Sequence, residues 1–212
     1  MRPNLQKFFI DGPAGRLETV LAEPKSGQRG LAIIAHPHPL YGGTMDNKIV
    51  HIIFNTLLES GFLCVKFNFR GVKKSEGVHD HGIGEIDDII TVVETVRNQF
   101  TVQSEPLLLA GFSFGGAIQA HVAQQLNPQN LVLVAPSVAN LNAPPVTQYC
   151  TNTLIIHGDQ DEIVPLQSVL AWAEPQSLPV VVVPGAAHFF HGNLLIIKRI
   201  ILDACRNGER LC

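Results

Sequence analysis

The apolar residues of this chain occur in short uninterrupted runs, and this arrangement restricts the possible folds more than any other feature. The runs lie at 31–35, 107–110, 131–135, 154–156 and 180–183, each close to Gly, Pro, Asn or Asp. A strand with one wet face alternates apolar and polar residues, whereas a strand covered on both faces is continuously apolar. No run approaches the roughly 18 residues that a membrane span needs. The pattern therefore predicts a buried parallel sheet and no membrane association.

The composition supports a folded protein with a large core. Of the 212 residues, 46% are hydrophobic and 16% are charged, against about 25% charged in an average soluble domain. Disordered chains show the opposite balance. The formal net charge of −3 provides no basic surface, which argues against a nucleic-acid partner.

The cysteines and the first residues predict a cytoplasmic protein. The four cysteines lie at positions 64, 150, 205 and 212, without the regular spacing of a disulfide framework. We therefore expect free, reduced thiols. The first residues show no apolar segment of the kind found in secretory leaders.

Strand and helix patterns alternate along most of the chain. Two strand-like runs at Lys7–Ile10 and Leu17–Ala22 predict an antiparallel hairpin at the start. Strands are then expected at 31–35, 62–67, 107–111, 131–134, 153–156 and 179–183, and helices at 47–59, 84–100, 114–126, 166–173 and 191–207. This succession predicts a mostly parallel, twisted sheet with helices on both faces, formed by one domain over residues 1–212.

A G-x-S-x-G pattern lies between a predicted strand and a predicted helix. It consists of Gly111, Ser113 and Gly115 with a phenylalanine on each side of the serine. The string alone is a weak signal, but a strand–turn–helix context is that of a nucleophile elbow. The tight turn leaves little room for side chains at the two glycine positions. Ser113 is therefore a candidate nucleophile, and the alternative is a glycine-rich turn with a buried serine.

A serine nucleophile needs a base and an acid that orients the base. The strand at 153–156 leads to Asp159 and Asp161, and the strand at 180–183 leads to His188. Ligands in open α/β sheets bind along the edge where the carboxyl ends of the strands meet. We therefore expect these side chains to lie at the edge that holds the candidate serine, with either aspartate as the acid.

With these segments in this order, the chain resembles the serine hydrolases of the α/β-hydrolase superfamily. More narrowly, it resembles the small hydrolases without a cap that are related to dienelactone hydrolase and bacterial carboxylesterases. The resemblance implies Ser113 as nucleophile, Asp161 rather than Asp159 as acid, and His188 as base. His191 is the alternative base, although it lies where the last helix is expected to begin. The matching strings are at 36–45, 67–72, 111–116, 157–165 and 185–190.

A hydrolase of this kind needs two backbone N–H groups to bind the oxyanion. The first is expected from Phe114, the residue after the nucleophile, and the second from the loop after the first parallel strand. Pro37 and Pro39 in that loop have no N–H. The second donor is therefore His38, Leu40 or a later residue of the loop, and we expect Leu40 or His38 without ranking the two.

Two His-x-His pairs raise the question of a metal site. The pairs are His36 with His38 and His79 with His81, and neither has a nearby third ligand with a clear role. We therefore expect no metal, and hydrogen bonding by the first pair that stiffens the oxyanion loop. The second pair is expected on a solvated loop. His157 is expected to be a structural histidine beneath the acid loop.

The predicted function is hydrolysis of small carboxylic esters through an acyl-enzyme, without a cofactor. The segment 136–152, where a lid is often inserted, is rich in Pro and Asn and too short for a lid domain. An open site results, with Tyr41, Phe112 and Phe189 as candidate substrate contacts. The partner would be a small-molecule ester, and the protein a monomer or homodimer. Alternatives are a thioesterase or acyl-peptide hydrolase with the same triad, and a non-catalytic binding protein on this fold.

Overall fold

The computed structural model describes residues 4–25, 27–100, 102 and 105–206. Within these ranges, eight strands form one sheet. The strands are β1 (Leu5–Gly12), β2 (Gly15–Ala22), β3 (Gly30–Ala35), β4 (Phe62–Phe67), β5 (Leu107–Phe112), β6 (Asn130–Val134), β7 (Asn152–Gly158) and β8 (Val180–Val183). Their spatial order is β1-β2-β4-β3-β5-β6-β7-β8.

The sheet combines an antiparallel start with a parallel body. Strands β1 and β2 form the expected hairpin, and β2 pairs antiparallel with β4. All remaining neighbours, from β4 across to β8, are parallel. The predicted α/β architecture is therefore confirmed.

Helices cover both faces of the sheet, which explains the continuous apolar runs. The helices are α1 (Lys48–Glu59), α2 (Gly84–Gln99), α3 (Phe114–Leu126), α4 (Leu166–Ala173) and α5 (Leu194–Arg206). Helices α2, α3 and α4 enclose one core layer, and α1 and α5 enclose the other. Every residue of β3, β4, β5 and β6 is buried as a result. None of the helices in the described ranges has the length and apolarity to cross a membrane.

The last helix begins later than predicted. It starts at Leu194 rather than His191, because the preceding residues form turns in which Phe190 and Gly192 have positive φ angles of 49° and 77°. Left-handed backbone of this kind interrupts a right-handed helix. The predicted helix end at position 207 and the polar tail after it lie outside the described residues.

No lid is inserted between β6 and β7. Residues 136–151 form turns and irregular backbone without a helix, as the sequence indicated. The edge of the sheet above β5, β6 and β7 therefore has no separate covering domain within the described part of the chain.

The cysteines in the described ranges form no disulfide bond with one another. Cys64, Cys150 and Cys205 are all buried and unbridged, which confirms the prediction for these positions. Cys212 lies outside the described residues.

Candidate active site

Ser113 occupies a strained turn between β5 and α3. Its φ and ψ angles are 54° and −116°, a conformation that non-glycine residues rarely adopt and that often marks functional sites. Its backbone N–H donates to the Val134 carbonyl at the end of β6 (2.9 Å). The turn is thus fixed to the neighbouring strand.

The two glycines of the pattern are required by space. A Cβ atom on Gly111 would lie 2.4 Å from the Gly115 carbonyl carbon, and one on Gly115 would lie 2.5 Å from the His36 carbonyl oxygen. The second contact also shows that the elbow packs directly against the loop after β3, where the second oxyanion donor was expected.

The structure brings Ser113, His188 and Asp161 into one hydrogen-bonded chain. Ser113 Oγ lies 3.0 Å from His188 Nε2, and His188 Nδ1 lies 2.8 Å from Asp161 Oδ2. All three residues are less than one-tenth exposed. Because a carboxylate only accepts hydrogen bonds, Nδ1 carries the proton and Nε2 is free to accept from the serine hydroxyl. This is the arrangement that a general base for Ser113 requires.

Asp161 is held as a carboxylate by several donors. Its Oδ1 accepts hydrogen bonds from the Ile163 N–H (3.0 Å) and the Val164 N–H (2.7 Å). Burial alone would raise the pKa of Asp161, but the hydrogen bonds from His188 and these backbone groups outweigh it and lower the pKa. The acid is therefore ionised at neutral pH.

The alternative acid, Asp159, has a different position. Its Oδ1 accepts a hydrogen bond from the Gly185 N–H (2.6 Å). Asp159 therefore shapes the turn that precedes His188, while Asp161 contacts the imidazole itself. The alternative base, His191, is exposed in the turn before α5, so His188 is the histidine that faces Ser113.

His157 supports the acid loop from below. It is fully buried, and its Nε2–H donates to the Val164 carbonyl (2.8 Å) while lying 3.4 Å from Asp161 Oδ2. Burial lowers the pKa of His157 and favours the neutral ring. These contacts agree with the structural role predicted for this residue.

The loop after β3 distinguishes between the two candidate oxyanion donors. The Leu40 N–H donates to the side-chain Nδ1 of His38 (3.2 Å), within a 3₁₀ turn at Pro39–Tyr41. This hydrogen bond engages the Leu40 N–H, one of the two expected donors. The Phe114 N–H lies in the first turn of α3, where N–H groups have no partner within the helix.

His36 fixes this loop to its neighbour. Its Nδ1–H donates to the Pro37 carbonyl (2.7 Å), and its Nε2 accepts from the Phe69 N–H (3.0 Å) in the loop after β4. Complete burial lowers the pKa of His36 to about 4. A neutral imidazole with both nitrogens bonded therefore stiffens the oxyanion loop, as predicted.

Of the three predicted substrate contacts, one is wrong and the other two are exposed at the rim of the site. Phe112 is fully buried, with its ring 5.0 Å from the His188 ring. It cannot line the cleft, because its side chain points into the core beneath the histidine. Phe189 is 40% exposed and contacts His188 edge-on, and Tyr41 is 87% exposed on the oxyanion loop.

The expectation for His79 was also wrong, although His81 is exposed as expected. The His79 side chain is only 7% exposed, and its Nδ1 lies 2.7 Å from Oε1 of the fully buried Glu85. Glu85 also accepts the N–H groups of Asp80 and Gly82. The sequence signal for this arrangement was an acid in the first turn of a helix that directly follows the histidine loop.

Helix α2, which carries Glu85, also anchors the loop after β4. The Arg70 guanidinium donates to both carboxylate oxygens of the fully buried Asp88 and to the Gly84 carbonyl. Burial raises the pKa of Asp88, and the hydrogen bonds from Arg70 offset part of this effect.

The described ranges contain no group of three or more His, Cys, Asp or Glu side chains suited to hold a metal.

A comparison with known protein families identifies the family to which this chain belongs. Residues 11–144 match the family model described as X-Pro dipeptidyl-peptidase (S15 family). The chain belongs to this family. The matched part of this α/β hydrolase includes Ser113 and the oxyanion loop but ends before Asp161 and His188.

Two solved structures and one further relative are similar to this hydrolase over most of its length. An α/β serine hydrolase homologue from Coxiella burnetii is 41% identical, with 96% of this chain and 98% of that chain covered and a TM-score of 0.86. An α/β serine hydrolase without a lid from Xanthomonas campestris is 36% identical, with 100% and 98% covered and a TM-score of 0.91. An uncharacterized protein of Rickettsia prowazekii is 30% identical over 202 residues, covering 88% of this chain and 82% of its own length.

Proposed function

We propose that this α/β hydrolase cleaves carboxylic esters with Ser113 as nucleophile, His188 as general base and Asp161 as the acid that orients it. The observation that carries the proposal is the hydrogen-bonded chain from Ser113 Oγ through His188 to Asp161. The chain lies at the carboxyl edge of the parallel strands, where substrates bind in open α/β sheets.

The reaction proceeds in two halves. Ser113 Oγ attacks the ester carbonyl carbon while its proton passes to His188 Nε2, and the N–H groups of Phe114 and His38 bind the resulting oxyanion. Collapse of this intermediate releases the alcohol, which takes the proton from His188. Water then attacks the acyl-serine, again losing a proton to His188, and the carboxylic acid leaves as the Ser113 hydroxyl is restored.

The oxyanion hole rests on the contact between the elbow and the loop after β3. Gly115 lies against the His36 carbonyl, so residue 38 is only two positions from a backbone contact with the elbow. His36 holds this loop by its two hydrogen bonds. Donors fixed before substrate binding stabilise developing charge without reorganisation.

Peptide cleavage is the second candidate, because the matching family is described as X-Pro dipeptidyl-peptidases. A dipeptidyl-peptidase has to bind the terminal ammonium group of its substrate, which calls for a carboxylate facing the cleft. Asp161, Asp159 and Glu85 all accept hydrogen bonds from protein groups instead. Asp161 and Glu85 are also buried, which removes them from reach of a terminal ammonium group and favours esters over peptides.

The test uses a substrate panel and an active-site probe. Wild type should hydrolyse 4-nitrophenyl acetate and butyrate faster than an acyl thioester or Gly-Pro-4-nitroanilide, and a fluorophosphonate should label it. Ser113→Ala should lose labelling and at least about a thousandfold in kcat. Ser137→Ala is the matched control, since it is a neighbouring buried serine outside the triad.

The outcomes separate the classes of function. Faster turnover of the nitroanilide would replace the esterase proposal by a peptidase. Labelling that persists in Ser113→Ala, or folded wild type that neither labels nor turns over any substrate, would refute the serine hydrolase mechanism.

A further inference from the structure

A groove beside the candidate active site is not used by the proposed chemistry. It lies between the residues at 39–44, which form the outer part of the oxyanion loop, and the loop after β4 at 70–79, and its volume is about 460 Å³. Ser113, His188 and Asp161 are not among its lining residues. We call this cavity the lateral groove.

The lateral groove begins next to the oxyanion hole. His79 lines it, and the His79 ring lies 5.0 Å from the His38 ring and 5.7 Å from the Phe114 ring. These are the two residues whose N–H groups we assign to the oxyanion. Through His79 the groove therefore adjoins the side chains of both residues assigned to the oxyanion hole.

The walls of the groove are apolar and open to solvent. Leu40 on one side is 66% exposed, and Val78 on the other is 77% exposed. Glycines at 42, 43, 71 and 77 keep the surface between them free of side chains. An apolar chain bound here would remove both exposed side chains from water, which is favourable in proportion to the area covered.

The residues of the groove with ionisable side chains are all basic. They are Arg70, Lys73 and His79, and no acidic residue belongs to its lining. Arg70 is paired with Asp88, and His79 contacts Glu85. No carboxylate of the described ranges lies within 4.0 Å of the Lys73 amine, so its charge is available to a ligand.

We propose that the lateral groove binds an apolar acyl arm that ends in a carboxylate, with Lys73 pairing the carboxylate. The preferred substrates are then monoesters of dicarboxylic acids. This inference rests on the proposed esterase function, because the arm is attached to the carbonyl that Ser113 attacks.

The test compares matched esters in matched variants. The substrates are the 4-nitrophenyl monoesters of adipic and suberic acid and the same compounds with the free carboxyl group methylated. The variants are Lys73→Glu and the control Lys74→Glu, which makes the same charge change at the next residue. Lys74 is also exposed but lines a different cavity, beside β1 and β2.

Wild type should show a kcat/KM for the carboxylate esters about threefold or more above that for the methylated esters at low ionic strength. Lys73→Glu should lower the value for the carboxylate esters by about threefold to tenfold, the scale expected for reversing one exposed ion pair. The methylated esters should stay within about twofold, and Lys74→Glu should resemble wild type with all four substrates. Added salt should reduce the preference.

Three results would overturn the inference. Equal effects of Lys73→Glu and Lys74→Glu would assign the preference to net charge rather than to the groove. Hydrolysis of the methylated esters as fast as the carboxylate esters would refute the role proposed for the lateral groove. The esterase proposal would remain intact. Failure to hydrolyse any of the four esters, together with the simple nitrophenyl esters, would refute the esterase proposal and this inference with it.

Discussion

Acidification should destabilise the fold through the buried imidazole of His36. The ring is completely enclosed, and its two nitrogens bond the Pro37 carbonyl and the Phe69 N–H. Protonation would place a second N–H opposite the Phe69 N–H, so the hydrogen bond would become a repulsion between two donors. The folded state therefore keeps the ring neutral far below the pH at which a free imidazole becomes charged.

The magnitude follows from the two pKa values of this group. The pKa is about 4 in the folded protein and 6.5 in the unfolded chain, so the unfolded chain binds more protons between these values. The stabilisation that the neutral His36 ring gives the folded state is fully present above about pH 6.5. It is lost as the pH falls towards 4. Integration gives a loss of about 2 kcal/mol in the free energy of unfolding between pH 8 and pH 5.

The assay is urea unfolding of wild type and His36→Gln at a series of pH values from 8 to 5. The pKa values of His38, His51 and His157 are also lowered by burial, so wild type alone does not isolate His36. The variant should lose the part of the pH dependence that His36 supplies. The control His191→Gln, at an exposed position, should keep the wild-type pH dependence.

A pH dependence of unfolding in His36→Gln that equals that of wild type would refute this reasoning. A measurement on wild type alone also tests whether the His36 ring stays neutral. The imidazole ¹⁵N shifts of His36 in the native protein should remain those of the neutral Nδ1–H tautomer at pH 5, and signals of a charged ring there would contradict the assigned hydrogen bonds.

Further predictions concern the acid, the elbow and the anchor of the loop after β4. Asp161→Asn should lower kcat for nitrophenyl esters by about a thousandfold or more, because the amide cannot hold the correct imidazole tautomer. Gly115→Ala should lower the free energy of unfolding by roughly 3 kcal/mol in urea unfolding, since its Cβ would lie 2.5 Å from a backbone oxygen. Arg70→Met should lower it by about 3–5 kcal/mol in the same assay, because Asp88 remains buried without its partner.

Each of these changes has a control in the same chain. Asp159→Asn should keep kcat within about threefold, since an amide oxygen can still accept the Gly185 N–H; an effect equal to that of Asp161→Asn would exchange the roles of the two aspartates. Gly42→Ala, where a Cβ meets open space and only the positive φ of 78° is unfavourable, should cost less than Gly115→Ala. Arg16→Met removes an exposed pair with Glu76 and should have a much smaller effect than Arg70→Met; equal effects would contradict the buried network.

Much of the architecture was predictable because it depends on local patterns. The strands of the parallel body could be placed from continuous apolar runs, since β3 to β6 are buried at every residue. The elbow could be placed because its two glycines are required by contacts within the turn and with the adjoining strand end. The carboxyl ends of parallel strands share one edge, so Ser113, His188 and an aspartate at position 159 or 161 were expected to meet there, and the resemblance to known hydrolases implied Asp161.

Other features depended on contacts between distant segments. The burial of Phe112 follows from the position of the His188 ring above it, and that of His79 from a carboxylate on α2 that lies beneath its loop. A phenylalanine beside a catalytic serine, or a histidine in a polar loop, reads the same in sequence whether it faces solvent or protein. The start of α5 was misplaced because two left-handed residues, Phe190 and Gly192, are not specified by the apolar period of the helix.

The sequence by itself determined the order of the elements, the buried sheet and the position of Ser113, His188 and two candidate aspartates at its carboxyl edge. These follow from hydrophobic periodicity and from the geometry of parallel strands, which are the same in every chain of this type. Only the tertiary structure showed that the Leu40 N–H is directed to the ring of His38, the contact on which the proposed choice of His38 as oxyanion donor rests. Only the tertiary structure showed that Lys73 has no carboxylate partner among the described residues, since the acids of α2 beside this loop, Asp88 and Glu85, contact Arg70 and His79 instead.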